Sequence, residues 1–141
     1  IHCWDFRDKS SQMSRNVKDI SKVHFHNTGL GEVKDTRYTK PGVGRVKSTQ
    51  QTNSSNLLVP IVTLDSFELF DGVDFIKMDV EGYEPLVIKG ATETIRSNWP
   101  VILCEINRGD FTAKTLLEDM GYRCVDIYHK GNVPHDYLFV K

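Results

Sequence analysis

The stretch Phe75-Ile76-Lys77-Met78-Asp79-Val80-Glu81-Gly82-Tyr83-Glu84-Pro85 decides the fold: an apolar strand ends in two carboxylates and a glycine, and a helix begins at once. In parallel α/β proteins ligands bind in the crevice outside the carboxyl ends of the strands, so this turn marks where chemistry is expected. It names a site before it names a reaction.

Working outward, Val73 to Met78 reads as a buried strand and Tyr83 to Ser97 as a helix. Pro85 is tolerated in the helix's first turn, and Leu86, Val87, Ile88, Ala91 and Ile95 supply its core face. Trp99-Pro100 ends it. Val101 to Ile106 is a second apolar strand closing in a carboxylate, Glu105. Phe111 to Met120 is a helix stopped by Gly121, and strands at Tyr122 to Tyr128 and Tyr137 to Val140 follow, joined by the turn-rich His129 to Asp136.

Upstream, Leu57 to Val62 reads as a strand whose Pro60 suits a sheet edge, and Thr63 to Phe70 as a short helix capped by Thr63 or Asp65. Ile1 to Phe6 and Val23 to Asn27 are strands flanking a helix over Ser10 to Ile20. Gly29-Leu30-Gly31 turns the chain into a polar insert over 32–57, in which Lys40 to Asn56 is a long loop. Strands alternating with helices give an α/β fold with a mostly parallel sheet. Its last two strands, joined by a short connection, run antiparallel.

The 141 residues, 39% of them hydrophobic and with a net charge of −1, suit one domain with its own core. No apolar run is long enough for a transmembrane span or a signal-peptide core, so no membrane partner is expected. Near-neutral charge gives no general pull toward nucleic acid or anionic lipid. Cys3, Cys104 and Cys124 are widely spaced in apolar, strand-like contexts, which fits reduced buried thiols of a cytoplasmic protein better than a disulfide framework or a zinc cluster. The chain opens at Ile1 inside a strand, as a fragment or a processed product would.

On such a sheet Asp5, Asp79, Glu81 and Glu105 fall on one rim, which packing alone does not explain. Each has a plainer reading as well. Asp79 and Glu81 also suit the N-terminal end of a helix, Asp5 a solvated turn, and Glu105 a hydrogen-bonded structural carboxylate. Gly82 points to close backbone approach or a positive φ. His129 and His135 flank the final turn and line the same rim or simply face solvent. His24 and His26 alternate along a strand and share a face, as a sheet-surface pair or a metal pair. Lys34, Arg37, Lys40, Arg45 and Lys47 make the insert basic, but without interleaved aromatics it reads as solvated.

Four segments together resemble the FkbM family of S-adenosylmethionine-dependent methyltransferases. They are Val59-Pro60-Ile61-Val62-Thr63-Leu64-Asp65, the run Val73 to Glu84, Lys89-Gly90-Ala91, and Pro100-Val101-Ile102-Leu103-Cys104-Glu105. The resemblance covers most of the chain, and spacing as well as residue type agrees. It implies a Rossmann-like class I methyltransferase sheet and S-adenosylmethionine as cofactor. Asp5, after Trp4, would hold the cofactor's ribose hydroxyls, and Asn27 would lie near the adenine. Asp79 and Glu81 would lie beside its methionine end and the acceptor; Gly82 is also expected to bind the cofactor, and Glu105 and His129 to lie on the substrate side.

The family's opening strand and glycine-rich turn have no counterpart here. Gly29-x-Gly31 and Gly42-x-Gly44 do not stand in a strand-to-helix turn. The sheet is thus expected to lack its first strand and helix, about 30 to 40 residues. The implied reaction is O-methylation of a hydroxyl on a sugar or other small metabolite, with Asp79 first, then Glu81 or His135, taking the proton. Two rivals remain: a divalent-metal phosphoesterase or nuclease built on Asp79, Glu81 and Glu105, and a Rossmann-like fragment without activity. No resident metal is expected.

Overall fold

The computed structural model describes residues 1–5, 19–39, 56–69 and 71–141. The expected helix over Ser10 to Ile20 and the loop over Lys40 to Asn56 lie almost wholly outside these residues. A single 3₁₀ turn is seen at Ile20–Lys22.

Nine strands form three separate ladders among the described residues. β1 (His2–Trp4) pairs in parallel with β2 (His24–His26). β5 (Leu57–Val62) lies between β3 (Gly29–Leu30), parallel to it, and β4 (Asp35–Thr39), antiparallel. The third ladder runs β6 (Phe75–Met78), β7 (Val101–Glu105), β9 (Val133–Val140), β8 (Arg123–Lys130), with β6 and β7 parallel and the remaining pairs antiparallel. The expectation of one mostly parallel sheet is corrected accordingly. The fold is mixed α/β, its pairings evenly divided between parallel and antiparallel.

Several element readings change with it. The polar, extended stretch ahead of the expected loop contains a strand, β4, and Gly29-Leu30 is a short strand rather than a turn. Leu57–Val62 is central in its sheet, not an edge. Pro60 is tolerated there because β3 reaches only Ile61 and Val62, so Pro60 faces a partner on the β4 side alone. β6 is only partly buried, with Phe75 54% exposed. Thr63 does cap the next turn, accepting from the Ser66 N–H, but that turn is a single 3₁₀ turn over Leu64–Phe67. The region His129 to Asp136 belongs to a hairpin closed by Gly131-Asn132, with Gly131 at φ +65°. Such a dipeptide between two strand-forming runs is itself a tight-hairpin signal.

The single helix expected over Tyr83 to Ser97 is two: α1 (Glu84–Lys89) and α2 (Thr92–Asn98). They break at Gly90-Ala91, and Gly90 lies against the backbone of Gly31, where a Cβ would stand 1.9 Å from the Gly31 carbonyl oxygen. Asp65 serves the break from outside. Its backbone N–H donates to the Gly90 carbonyl at 3.0 Å, and its carboxylate accepts from the N–H groups of Glu93 (3.1 Å) and Thr94 (2.8 Å) in the first turn of α2. α3 (Thr112–Asp119) ends before Gly121 at φ +102°, as its sequence signals.

The main core lies between β7 and β9 and the helices. Ile88, Ile95, Ile102, Cys104, Leu117 and Phe139 are essentially sealed from solvent, each large apolar side chain contributing about 1.5–3 kcal/mol on burial. Cys3, Cys104 and Cys124 all sit on strands as free thiols, but only Cys104 is buried as expected, Cys3 and Cys124 being half-buried; burial pushes the Cys104 thiol up to about 12. No described helix is long and apolar enough to cross a membrane.

Candidate functional site

Strand register assembles the site. β6 and β7 run in parallel with Met78 opposite Cys104, so the next residues, Asp79 and Glu105, emerge side by side. β9 runs antiparallel to β7 with Asp136 opposite Glu105, which brings its neighbour His135 to the same rim. Because β9 extends back to Val133, His135 is held by a strand and not by the turn expected there.

The geometry is a continuous polar chain. Lys77 Nζ donates to Asp79 Oδ2 at 3.1 Å, and the Asp79 and Glu105 carboxyls lie within hydrogen-bonding reach of each other. Glu105 Oε1 is 3.2 Å from His135 Nε2, and His135 Nδ1 is 3.1 Å from Asp136 Oδ2. A charge on one of two neighbouring carboxyls disfavours a charge on the other, so the two lose their protons in separate steps. The hydrogen bond from Glu105, helped by Lys77, lowers Asp79 below the usual carboxylate range. The hydrogen bond to Asp79, together with burial, pushes Glu105 up to about 7. Exposure favours the same assignment, the Glu105 side chain being 12% exposed against 46% for Asp79.

The turn beyond Asp79 is held in an uncommon conformation. Glu81 has φ +57° and Gly82 φ +94°. A Cβ on Gly82 would meet only the Asn107 side chain, at 3.6 Å, so positive φ rather than close approach accounts for the glycine. Glu81 lies close enough to Glu105 for its charge to raise that group further. Glu84, 2% exposed, reaches back to accept from the Val80 N–H at 2.9 Å and pins the turn. Behind the rim a small depression is lined by Gly82, Glu84, Glu105, Asn107 and Asp110.

Sequence reasoning passed over Lys77, Glu84 and Asp136. The four-residue spacing from Val80 to Glu84, a carboxylate reaching back to a free N–H at a helix start, is a signal that marks Glu84 as structural. Lys77 pairs with Asp79 two residues on and Asp136 with its neighbour His135, and only the pairing of β6, β7 and β9 joins these local pairs into one group. His129 was read as substrate-side. It is exposed on β8 opposite Pro134 and takes part in none of the hydrogen bonds or ion pairs joining Glu105, His135 and Asp136. Among the described residues no three His, Cys, Asp or Glu side chains are arranged to hold a metal ion.

The other expected site residues lie at the carboxyl ends of β1 and β2. Asp5 follows β1, its N–H donating to the His26 carbonyl at 3.2 Å, and Asn27 follows β2, exposed. Beside them the Trp4 indole N–H and the Thr28 hydroxyl are buried without a hydrogen-bond partner among the described residues. Register also places His2 opposite His24. With His26, whose Nε2 is 3.1 Å from His2 Nδ1, they form a three-imidazole face stacked on Trp4 and edged by Phe67. The sequence showed only two of the three, because β1 and β2 are paired in space and not in sequence.

A mixed α/β domain that gathers acids at the carboxyl ends of neighbouring strands is of the class that binds small molecules at that rim. The model of the methyltransferase FkbM domain matches residues 10–124, and the chain belongs to that family. It is similar in structure to a methyltransferase FkbM from Methylobacillus flagellatus KT, with a TM-score of 0.61 at 20% sequence identity. At that identity the likeness is one of fold. The match covers 99% of this chain and 36% of that one, so the chain spans about a third of that protein's length. Comparison with curated proteins finds no match.

Proposed function

We propose that the protein transfers a methyl group from S-adenosylmethionine to a hydroxyl of a sugar or other small metabolite, on a Rossmann-like sheet. The observation that carries this reading is the junction of Asp79, Glu105 and His135 on one strand-end rim of a chain in the FkbM methyltransferase family. A hydroxyl is barely ionised at neutral pH, and this group is equipped to take its proton as the new bond forms.

The residues present fit the cofactor. Asp5 offers a carboxylate to paired ribose hydroxyls, and Asn27 stands at the end of the adjacent strand. The unpartnered Thr28 hydroxyl and Trp4 indole N–H beside them are groups that a polar ligand would satisfy. By the family resemblance Asp79 and Glu81 would border the methionine end, with Gly82 in the same turn at positive φ. When bound, the cofactor supplies an electrophilic methyl on a sulfonium. The protein's own part is to align the acceptor oxygen with it, which is where large effective molarities arise.

Calorimetric titration with S-adenosylmethionine and with Mg²⁺ tests the reading. The expected result is cofactor binding that weakens about tenfold or more in Asp5→Ala, a loss of about 1.4 kcal/mol. Equal affinity in Asp5→Ala, or Mg²⁺ binding without cofactor binding, would overturn it.

A further inference from the structure

Five groups of the rim form one file: Lys77, Asp79, Glu105, His135 and Asp136. Lys77 pairs with Asp79, Glu105 with His135 and His135 with Asp136, and the parallel register of β6 and β7 sets Asp79 beside Glu105, so the file has a cation at one end and a carboxylate at the other. Glu105 is the middle member and the least exposed, flanked by Asp79 at the end of β6 and 3.2 Å from His135 of β9. Asp79, which the sequence favours as the base, is tied instead to an ammonium at 3.1 Å. An ion-paired carboxylate is a poor proton acceptor, because the pairing favours its charged form.

We propose that Glu105 is the group that takes the acceptor's proton, and that Lys77 is a positioning residue that makes it so by holding Asp79 as the charged partner. This rests on the methyl-transfer reading. In the step, the acceptor's O–H bond breaks, its electron pair stays on the oxygen that gains the methyl group, and the proton passes to a Glu105 oxygen. The pair of the broken carbon–sulfur bond leaves with the sulfur. On the other flank Asp136 accepts from His135 Nδ1–H, which leaves Nε2 facing Glu105. A general base works best when its pKa lies near the working pH. The surroundings of Glu105 place it there, since Asp79, Glu81 and burial raise it against the lowering effect of His135.

Carboxyl-carbon NMR of the whole chain, titrated from pH 3 to 9, separates the members of the pair. In the wild type Glu105 should titrate at about 7 and Asp79 below the usual range. Lys77 is half exposed, so Lys77→Met should leave the fold intact while the Asp79 midpoint rises and the Glu105 midpoint falls toward it. Glu105→Gln should keep cofactor affinity and lose methyl transfer roughly 10²- to 10⁴-fold. In Lys77→Met the alkaline rise of the pH–rate profile should move to lower pH. A wild-type Glu105 midpoint in the ordinary carboxylate range, or a midpoint unmoved in Lys77→Met, overturns the assignment. Midpoints as expected with no cofactor binding overturn the methyl-transfer reading instead, and with it the catalytic role of Glu105.

Discussion

Gly90→Ala sets two effects of opposite sign against each other. Gly90 has φ −82° and ψ 5°, a conformation open to any residue, and it closes α1. By the reduced entropy of the unfolded chain alone alanine should stabilise by about 0.4–1 kcal/mol. Its Cβ, however, would lie 1.9 Å from the Gly31 carbonyl oxygen and 2.9 Å from the Gly31 carbonyl carbon. Real contacts of this kind do not fall below 3.0 Å, so the backbones must part by about 1.1 Å. Neither side yields cheaply, because Gly31 donates to the Val62 carbonyl at 2.9 Å and the Gly90 carbonyl accepts from Asp65 at 3.0 Å. Forced repacking costs about 1–3 kcal/mol, and one strained hydrogen bond about 0.5–1.5 more. The clash wins, leaving a net destabilisation of about 2 kcal/mol and a fall in Tm of roughly 4–8 °C for a chain of this size. Urea and thermal unfolding followed by circular dichroism measure it. Lys89→Ala, one residue earlier and exposed, with Glu32 only at 3.6 Å, should change stability by less than about 0.5 kcal/mol. A neutral or stabilised Gly90→Ala would refute the claim that this glycine is required by close approach.

Two further outcomes follow from the same structure. Asp65→Ala removes the carboxylate that accepts from Glu93 and Thr94 and should cost about 1–2 kcal/mol in unfolding experiments. Asp65→Asn, which keeps one acceptor oxygen, should recover part of that loss, and equal stability of all three proteins would contradict the cap. On the imidazole face, burial and the neighbouring histidines hold His2 and His26 below the usual histidine range. The unfolded chain therefore binds more protons as pH falls through 6.5, and stability from the β1–β2 pair should be lost in that direction. His26→Gln should flatten the pH dependence of amide-exchange protection in β1 and β2, and an unchanged slope would count against the three-histidine face.

The strands that carry the site were legible because their apolar runs and closing acids are local signals. Phe75 to Met78 and Val101 to Glu105 fall where expected, and so do Asp79 and Glu105 at their ends. What escaped notice depended on pairing across the chain. Pro60 misled because its edge preference concerns one hydrogen-bonding side, and only register shows which side is free. The helix break at Gly90 is invisible in an unbroken apolar periodicity, and the backbone that requires a glycine there, Gly31, lies far away in sequence. His135 was placed on a turn because Pro134 and the polar residues around Gly131 disguise a strand that β7 stabilises.

These pairings also divide the family's signature by physical role. Asp65 caps α2, Gly90 permits the α1–α2 junction to meet Gly31, and Glu84 pins the turn after β6; none of the three needs a ligand to account for it. Asp79 and Glu105 are different. Two carboxyls brought within hydrogen-bonding reach by parallel register destabilise the rim at any pH where both are charged, and Lys77 and His135 only partly offset this. A scaffold under selection for stability alone would replace one of them with a neutral group, as Glu105→Gln does. The architecture half of the signature therefore positions the strand ends, and the acidic half bears a cost that the proposed proton transfer at the rim would account for.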